Sequence, residues 1–293
     1  MAQKEAANGS LLGPNALAGV RLGISVSESP DLQRLGLLEV HFRLALGELA
    51  RTVLVSGGDI NYGGHLDANG YTAFIIHELR RFSRRDRPFH SILAWQEHRR
   101  LTTEHLSSQV SDLGLYGDLT GLDPEGGVID VFADRPAESV PETDQAVIRK
   151  SLTSMRRYLT ERSDGRIFIG GKRAEFHGEL PGILEEALLA LEATQPVYFA
   201  GGFGGVTADI TRVLRIDGGV WIPDYADRPE QDQRWKKGLD LLVERWKKSG
   251  RTGLENGLTE AENRALAVSH RPSEIAALVS LGMGRSFMIK ADS

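Results

Sequence analysis

An α/β fold is predicted for this 293-residue chain: a Rossmann-like, doubly wound, mostly parallel sheet with helices on both faces and a helical C-terminal extension. Three features predict it. Short apolar, β-branched runs alternate with stretches of helical period from Val20 to Leu214, the pattern of parallel βαβ units. Two of the runs end in glycine-rich turns that open onto apolar-periodic helices: Tyr62-Gly63-Gly64-His65, with Asn69-Gly70 just after it, and Gly170-Gly171 followed by Pro181-Gly182-Ile183-Leu184-Glu185-Glu186. The last third of the chain reads as helix.

Residues 1–18, rich in Ala, Gly and Asn, read as a flexible lead-in, and residues 19–290 as a single domain. Val20–Val26 is a buried strand, and Ser27-Glu28-Ser29-Pro30-Asp31 is a turn and helix cap. The following helix carries Leu35, Leu38, Phe42, Ala45, Leu46 and Leu49 in steps of three and four, one apolar stripe. Thr52–Tyr62 reads as the second strand, Thr72–Phe82 as a helix with Phe74, Ile75 and Leu79 inward, and His90–Trp95 as the third strand. Residues 96–126 are polar, with Gly114, Gly117 and Gly121, and carry no clear period. Val128–Phe132 reads as a strand, Asp144–Glu161 as a helix, Arg166–Ile169 as a strand, Gly182–Ala193 as a helix and Pro196–Ala200 as a strand. Gly201-Gly202-Phe203-Gly204-Gly205 turns into a helix over Val206–Leu214. Trp235, Leu239, Leu242 and Trp246 share one helical face, which is expected to be buried, and Glu260–Val268 and Ser273–Leu281 read as two closing helices.

Composition excludes several functions. Hydrophobic content of 41% and charged content of 26% suit a globular core. A net charge of −5 argues against generic nucleic-acid binding, which needs excess Lys and Arg to release counterions. With no cysteine there is no disulfide, thiolate nucleophile or zinc–thiolate site. No apolar run reaches the ~20 residues that span a bilayer, and the first residues lack a signal-peptide core, so a cytoplasmic protein is expected. No motif calls for a resident cofactor. Glu97-His98 and Glu104-His105 invite a metal, but the His-Glu-x-x-His spacing is missing and no metal site is expected.

A strand, a glycine turn and a helix start let backbone N–H groups and a helix N-terminus meet a phosphate. Two such turns suggest a nucleotide-sized anionic ligand held from both sides. Glu186, near a helix start, is a candidate carboxylate for ribose hydroxyls or for departure of a base through an oxocarbenium-like state. Arg156 offers a planar guanidinium suited to phosphate. Lys172 and Arg173 follow a strand and a glycine pair, where a phosphate contact is expected. His65 lies just past the first turn, and Glu28 at the expected cleft mouth. The cluster Arg80, Arg81, Arg84, Arg85 and Arg87 sits at a helix C-terminus, where cations are favoured whatever else they do.

In order along the chain, Ile24 through Asp31, Tyr62-Gly63-Gly64-His65, Met155-Arg156-Arg157, Asp164 and Arg166, Gly170-Gly171, Pro181 through Glu186, and Gly201 through Gly205 resemble the SLOG superfamily. That superfamily joins LOG-type nucleoside-monophosphate phosphoribohydrolases, DNA-processing DprA/Smf proteins and the N-terminal domains of TRPM channels. The chain looks closest to bacterial SLOG families found around nucleotide-signalling and defence systems. In the phosphoribohydrolases, the loop after the first strand (here Ser27, Glu28 and Ser29), the turn after the second (Gly63, Gly64) and a proline–glycine loop opening a helix form a phosphosugar pocket. A Met-Arg-Lys segment supplies a catalytic arginine and a Gly-Thr-x-Glu-Glu helix start a carboxylate. The resemblance therefore implies catalytic roles for Arg156 and Glu186. It implies ligand contacts for Arg157, Gly171, Lys172, Arg173, Gly182 and Glu185, and for Gly202 and Gly204 in the last glycine turn. Three departures stand out. The Pro-Gly-Gly-x-Gly-Thr loop is replaced by the longer run from Gly170 to Gly182, its threonine is Ile183, and the lysine is Arg157.

Two functions stay open. One is binding of a nucleotide-derived ligand, ADP-ribose- or NAD-related or a nucleoside phosphate, by a sensor that acts through a separate effector protein. The other is hydrolysis of the N-glycosidic bond of a nucleoside monophosphate. The resemblance also implies a homo-oligomer.

Overall fold

The computed structural model describes residues 15–66, 70–82, 86–133, 135–219, 232–250 and 253–291, without the side chains of 288–291. Strand β1 (Arg21–Ser27) is followed by a single turn at Gln33–Leu35 and helix α1 (Glu39–Val55), then β2 (Asp59–Gly63), α2 (Tyr71–Phe82) and β3 (Phe89–Leu93). Helices α3 (Trp95–Arg99) and α4 (Thr103–Leu113), strand β4 (Gly117–Leu122) and a two-residue β5 (Val128–Ile129) come next. Helix α5 (Gln145–Glu161), β6 (Gly165–Gly170), α6 (Gly182–Glu192), β7 (Val197–Ala200) and α7 (Gly205–Val213) complete the alternation. Helices α8 (Gln233–Lys248), α9 (Glu260–Val268) and α10 (Pro272–Ala291) form the C-terminal part.

Side chains at the helix starts fix several of these boundaries. Asp144 accepts from Ala146 N–H at 2.8 Å to open α5, and Thr259 and Glu262 form a reciprocal capping box on α9. Pro272 occupies the first position of α10, where its missing N–H costs nothing.

The sheet order is β5-β4-β3-β2-β1-β6-β7, with every pair parallel except β4–β5. The chain runs outward from β1 through β4, then returns to place β6 on the other side of β1. That reversal is a topological switch point, and the crevice outside the carboxyl ends of β1 and β6 is where ligands bind in such sheets. Ser27 and Gly170 are register partners at that edge.

Side-chain alternation divides the core between the two faces. Leu22 and Ile24 of β1 and Ile167 and Ile169 of β6 join the layer made by α1, α2 and α10, around Phe42 and Leu46. Phe168 and Phe199 point the other way, stack at 5.1 Å, and meet Ile183 and Leu184 of α6 and Val206 of α7. Ser25 and Arg166 lie on this second face. Gly23, opposite Arg166 in register, leaves room for the arginine stem, since a Cβ there would meet Arg166 Cγ at 3.4 Å and Ser163 Oγ at 2.8 Å.

The strand–helix alternation matches the predicted fold, with local corrections. Thr52–Val55 is the end of α1 and not the start of β2: Val53 is buried against the core, and the strand begins only after Gly57 turns the chain with φ +84°. Within the expected α1 stripe, Leu38 is the exposed N-cap residue, whereas Phe42, Ala45, Leu46 and Leu49 are buried. Only Val128 and Ile129 of the run to Phe132 pair as strand, because the Asp130 side chain takes the Phe132 N–H into a turn. Trp235 and Trp246 are half-buried, since α8 lies on the outside of α6 and buries only Gly238, Leu239 and Leu242. Residues 96–126 contain most of α3 and all of α4 and β4; the third strand ends at Leu93, and Trp95, expected on it, opens α3. Of the expected lead-in, residues 15–18 are described. Leu17 is buried there, and its N–H bonds Ser56 O at 2.9 Å.

Candidate functional site

The first turn of α6 stands at the carboxyl edge of the sheet, and beneath it lies a buried cluster of charged groups. Arg166, fully buried on β6, donates to Glu186 at 2.7 Å, to Ser25 Oγ at 2.7 Å and to Thr160 Oγ1 at 2.7 Å. Ser25 Oγ in turn donates to Glu186 Oε2. Burial pushes the Arg166 guanidinium below its ordinary range, and the Glu186 carboxylate opposes that shift. Arg156 of α5 pairs with Glu185, which also accepts from Thr153. The other carboxylate oxygen of Glu186, Oε1, lies 3.6 Å from Arg156 Nε, its one charged contact among the described residues.

Several polar groups here have no hydrogen-bond partner among the described residues: Glu186 Oε1, Arg156 Nη2, and the N–H groups of Gly182 and Ile183, which as the first two of α6 have no intrahelical acceptor. They are close together. A Cβ on Gly182 would lie 2.9 Å from Arg156 Nη2, and one on Gly178 would lie 2.7 Å from Arg156 Nη1. The arrangement is a cradle of N–H donors with a carboxylate oxygen below. It offers an anion at the helix start both dipole and hydrogen bonds.

A second buried cluster underlies the next glycine turn. Arg173 bonds both oxygens of Asp209 at 2.7 and 2.9 Å, lies 2.8 Å from Asp31 Oδ2, and donates to Gly205 O at 3.2 Å. Asp31 Oδ2 accepts the Gly205 N–H at 2.7 Å, and Trp235 Nε1 donates to Asp209 at 2.9 Å. Burial lowers the Arg173 guanidinium, but its bonds to Asp209 and Asp31 outweigh this and the net shift is upward. One guanidinium serving two carboxylates leaves the burial cost on Asp209, whose carboxyl is pushed up. At the cleft mouth Lys172 pairs with Glu28 at 2.9 Å, both side chains largely exposed.

A family model described as SLOG cluster2 matches residues 16–266. The chain belongs to this SLOG family. A search of curated proteins finds no match. The matched span of the SLOG chain includes both buried clusters and every glycine turn, and membership suggests a nucleotide-related function.

Within this SLOG protein the candidate residues fall into groups. Arg156, Gly182, Glu185 and Glu186 come together. Gly63 adjoins them through Met155, whose Sδ a Cβ at Gly63 would strike, and Gly171 packs on Ile183 and Val206. Ile183 is buried, so at the position of the family's threonine it can offer only its N–H. Arg173 and Gly204 belong to the second cluster, with buried Ser29 nearby, its Oγ accepting from Asp31 N–H at 3.3 Å. Arg157 is exposed and lines a cavity of about 370 Å³ together with Arg149, Lys150 and Thr153. Gly202 lies against the Ser269 carbonyl, on the side of α9 and α10. Gly64 packs beneath the Tyr62 ring, and the His65 carbonyl accepts from Thr72. Arg80 and Arg87 are tied to Asp112 and Asp118, and Arg81 is near Glu78; Asn69, Arg84 and Arg85 lie outside the described residues.

Arg166, Ser25, Asp31 and Asp209 also belong to the two buried clusters, although the sequence pattern does not single them out as candidates. A charged residue opening the apolar run Ile167-Phe168-Ile169 was the available signal for Arg166, since a lone charge in a buried strand needs a partner.

Among the described residues no group of three or more His, Asp or Glu side chains could hold a metal. His98 and His105 each place Nε2 on a backbone carbonyl, Leu122 at 3.0 Å and Leu66 at 3.3 Å. His98 is buried, and burial, with Arg135 and Arg99 nearby, lowers its pKa below the ordinary imidazole value of about 6.5. As pH falls the unfolded chain therefore takes up this proton first. The stability His98 contributes is present above about pH 6.5 and is lost as pH falls below it. The expected result is an unfolding midpoint that drops more steeply between pH 7 and 5 in the wild type than in His98→Gln; parallel curves would contradict it.

Proposed function

We propose that this SLOG protein binds a nucleotide-derived ligand, ADP-ribose- or NAD-related or a nucleoside phosphate, in the cleft at the start of α6, and acts as a sensor. The supporting observation is the set of unpaired groups gathered there. Gly182 and Ile183 N–H and Arg156 Nη2 suit a phosphate, while Glu186 Oε1 suits a sugar hydroxyl. Beside them Arg156 Nε is buried with no hydrogen-bond partner among the described residues, and since buried polar groups are almost always paired it supports an absent partner at this place. The other Glu186 oxygen is fully engaged by Ser25 and Arg166, which fits an acceptor held in place better than a group that delivers a proton to a leaving base. A sensor of this kind works through a separate effector protein, and a homo-oligomer belongs to the same reading.

A second reading, hydrolysis of the N-glycosidic bond of a nucleoside monophosphate, draws on the same open oxygen. A carboxylate facing the anomeric carbon stabilises an oxocarbenium-like state, and Arg156 beside it holds the phosphate.

Gly182→Ala tests the cradle. The added Cβ would crowd Arg156 Nη2 at 2.9 Å and fill the space an anion needs. Calorimetric titration with AMP is expected to show at least a tenfold loss of affinity. The unfolding free energy should move by no more than about 1 kcal/mol, because alanine is a better helix residue than glycine. Equal affinity for AMP in the two proteins would contradict the proposed site.

A further inference from the structure

The loop between β6 and α6, residues 171–181, packs on the cradle through its buried Gly178. A Cβ there would lie 2.7 Å from Arg156 Nη1 and 3.3 Å from Glu185 Oε2, so the loop backbone rests directly on the Arg156–Glu185 pair. Where Gly178 sits therefore decides where the Arg156 guanidinium sits, and Nη2 of that group is the one beside Gly182.

The loop is held from outside. Glu175 has φ +56°, a left-handed conformation that a residue with a side chain keeps only when its surroundings impose it. Arg149 of α5 pairs with Glu179 at 2.7 Å, but Glu179 is largely exposed and a pair of that kind contributes little. The firmer anchor comes from the start of α8. Arg234 Nη1 donates to the Gly178 carbonyl at 2.9 Å, and its guanidinium lies over the Phe176 ring, 4.2 Å from the centroid. Asp232 holds that guanidinium in place, accepting from Nη2 at 2.6 Å and from Nε at 3.0 Å. The next residue, Trp235, donates to Asp209, which binds Arg173 at the other end of the loop. The first turn of α8 thus fastens the loop at two points.

We infer that Arg234 is a positioning residue for the ligand site: by fixing Gly178 it keeps Arg156 aimed at an anion held at the start of α6. This rests on the proposed binding site and adds what sets its arginine.

Arg234→Ala removes the anchor and leaves the buried charges in place. The probes are AMP and inorganic phosphate, titrated into each protein and followed by amide chemical shifts. Both are expected to bind about fivefold more weakly to the variant, because the contact they share is the one loosened. The Arg156 Nε–H signal, assigned by its absence from Arg156→Lys, should shift or broaden. In the Arg156→Lys background the same Arg234 substitution should add no further loss, since the guanidinium it acts through is gone. Unchanged affinity for both probes in Arg234→Ala overturns the role of Arg234 and leaves the site standing. Equal losses in the two backgrounds overturn the route through Arg156, as does an unmoved Arg156 signal where Arg156→Lys binds too weakly to compare. Failure of the wild type to bind either probe overturns the proposed site itself, and the role of Arg234 falls with it.

Discussion

Replacing Arg166 by methionine is expected to destabilise the protein by about 3–5 kcal/mol, a large share of the 5–15 kcal/mol typical of a folded domain. The side chain is fully buried and ties β6 to β1 through Ser25, to α5 through Thr160 and to α6 through Glu186. Methionine fills much of the volume, so the loss comes from what is left behind: a carboxylate without its main cation, and two hydroxyls without one of their partners. The double variant Arg166→Met, Glu186→Met removes both charges, and it should recover at least half of the lost stability, because apolar replacement of a buried pair is often neutral. Denaturant titration of the three proteins checks this. A single variant within about 1 kcal/mol of wild type would mean that Glu186 is not held as the structure has it.

Arg173→Met is expected to have an effect of similar size, with a pH signature of its own. Removing this guanidinium leaves Asp31 and Asp209 buried together, Asp31 with the Gly205 N–H and Asp209 with Trp235 Nε1. Burial already pushes the Asp209 carboxyl up in the intact cluster; without Arg173 the hydrogen bond from Trp235 is left to oppose that rise. The folded variant then holds a proton more tightly than the unfolded chain, whose aspartates titrate near 3.9. A raised folded pKa favours the folded state at low pH, so the deficit of about 3–5 kcal/mol at pH 7 should shrink toward pH 5. A deficit that stays constant over that interval would mean that the two carboxylates separate in the variant instead of sharing a proton.

The sequence made some elements legible and hid others for definable reasons. The helix from Gln145 to Glu161 was readable because Asp144 caps it and its apolar positions recur at helical spacing. The all-buried strand at Gly165–Gly170 was readable from Ile167-Phe168-Ile169. The fourth strand was hidden because Gly117 and Gly121 look like turn residues. In the sheet Gly117 lies so close to the Phe89 carbonyl that a side chain would collide with it, and Gly121 leaves room for Val131. Val53, Leu54 and Val55 look like strand but remain helical because the core takes Val53 and Leu54. Arg156, Glu185 and Glu186 stand out through local motifs. The long-range pairings do not: Ser25 meets Glu186 across 161 positions, and Asp31 meets Gly205 across 174. Pairings at such separations leave no local periodicity to read. The half-buried tryptophans of α8 show the same limit, since spacing defines a helix face but not how deeply a neighbouring helix covers it.

A nucleotide-derived ligand is expected to bind at the start of α6. Saturation-transfer proton NMR on the wild-type protein, with a mixture of nucleoside monophosphates, ADP-ribose, cyclic ADP-ribose and NAD, tests it most directly. The predicted result is transfer to the sugar protons of at least one member, which stays intact over hours. Loss of an anomeric signal with growth of free base, abolished in Glu186→Gln, would move the assignment to the glycosidic-bond reading. Absence of transfer to every member of the mixture would contradict the claim.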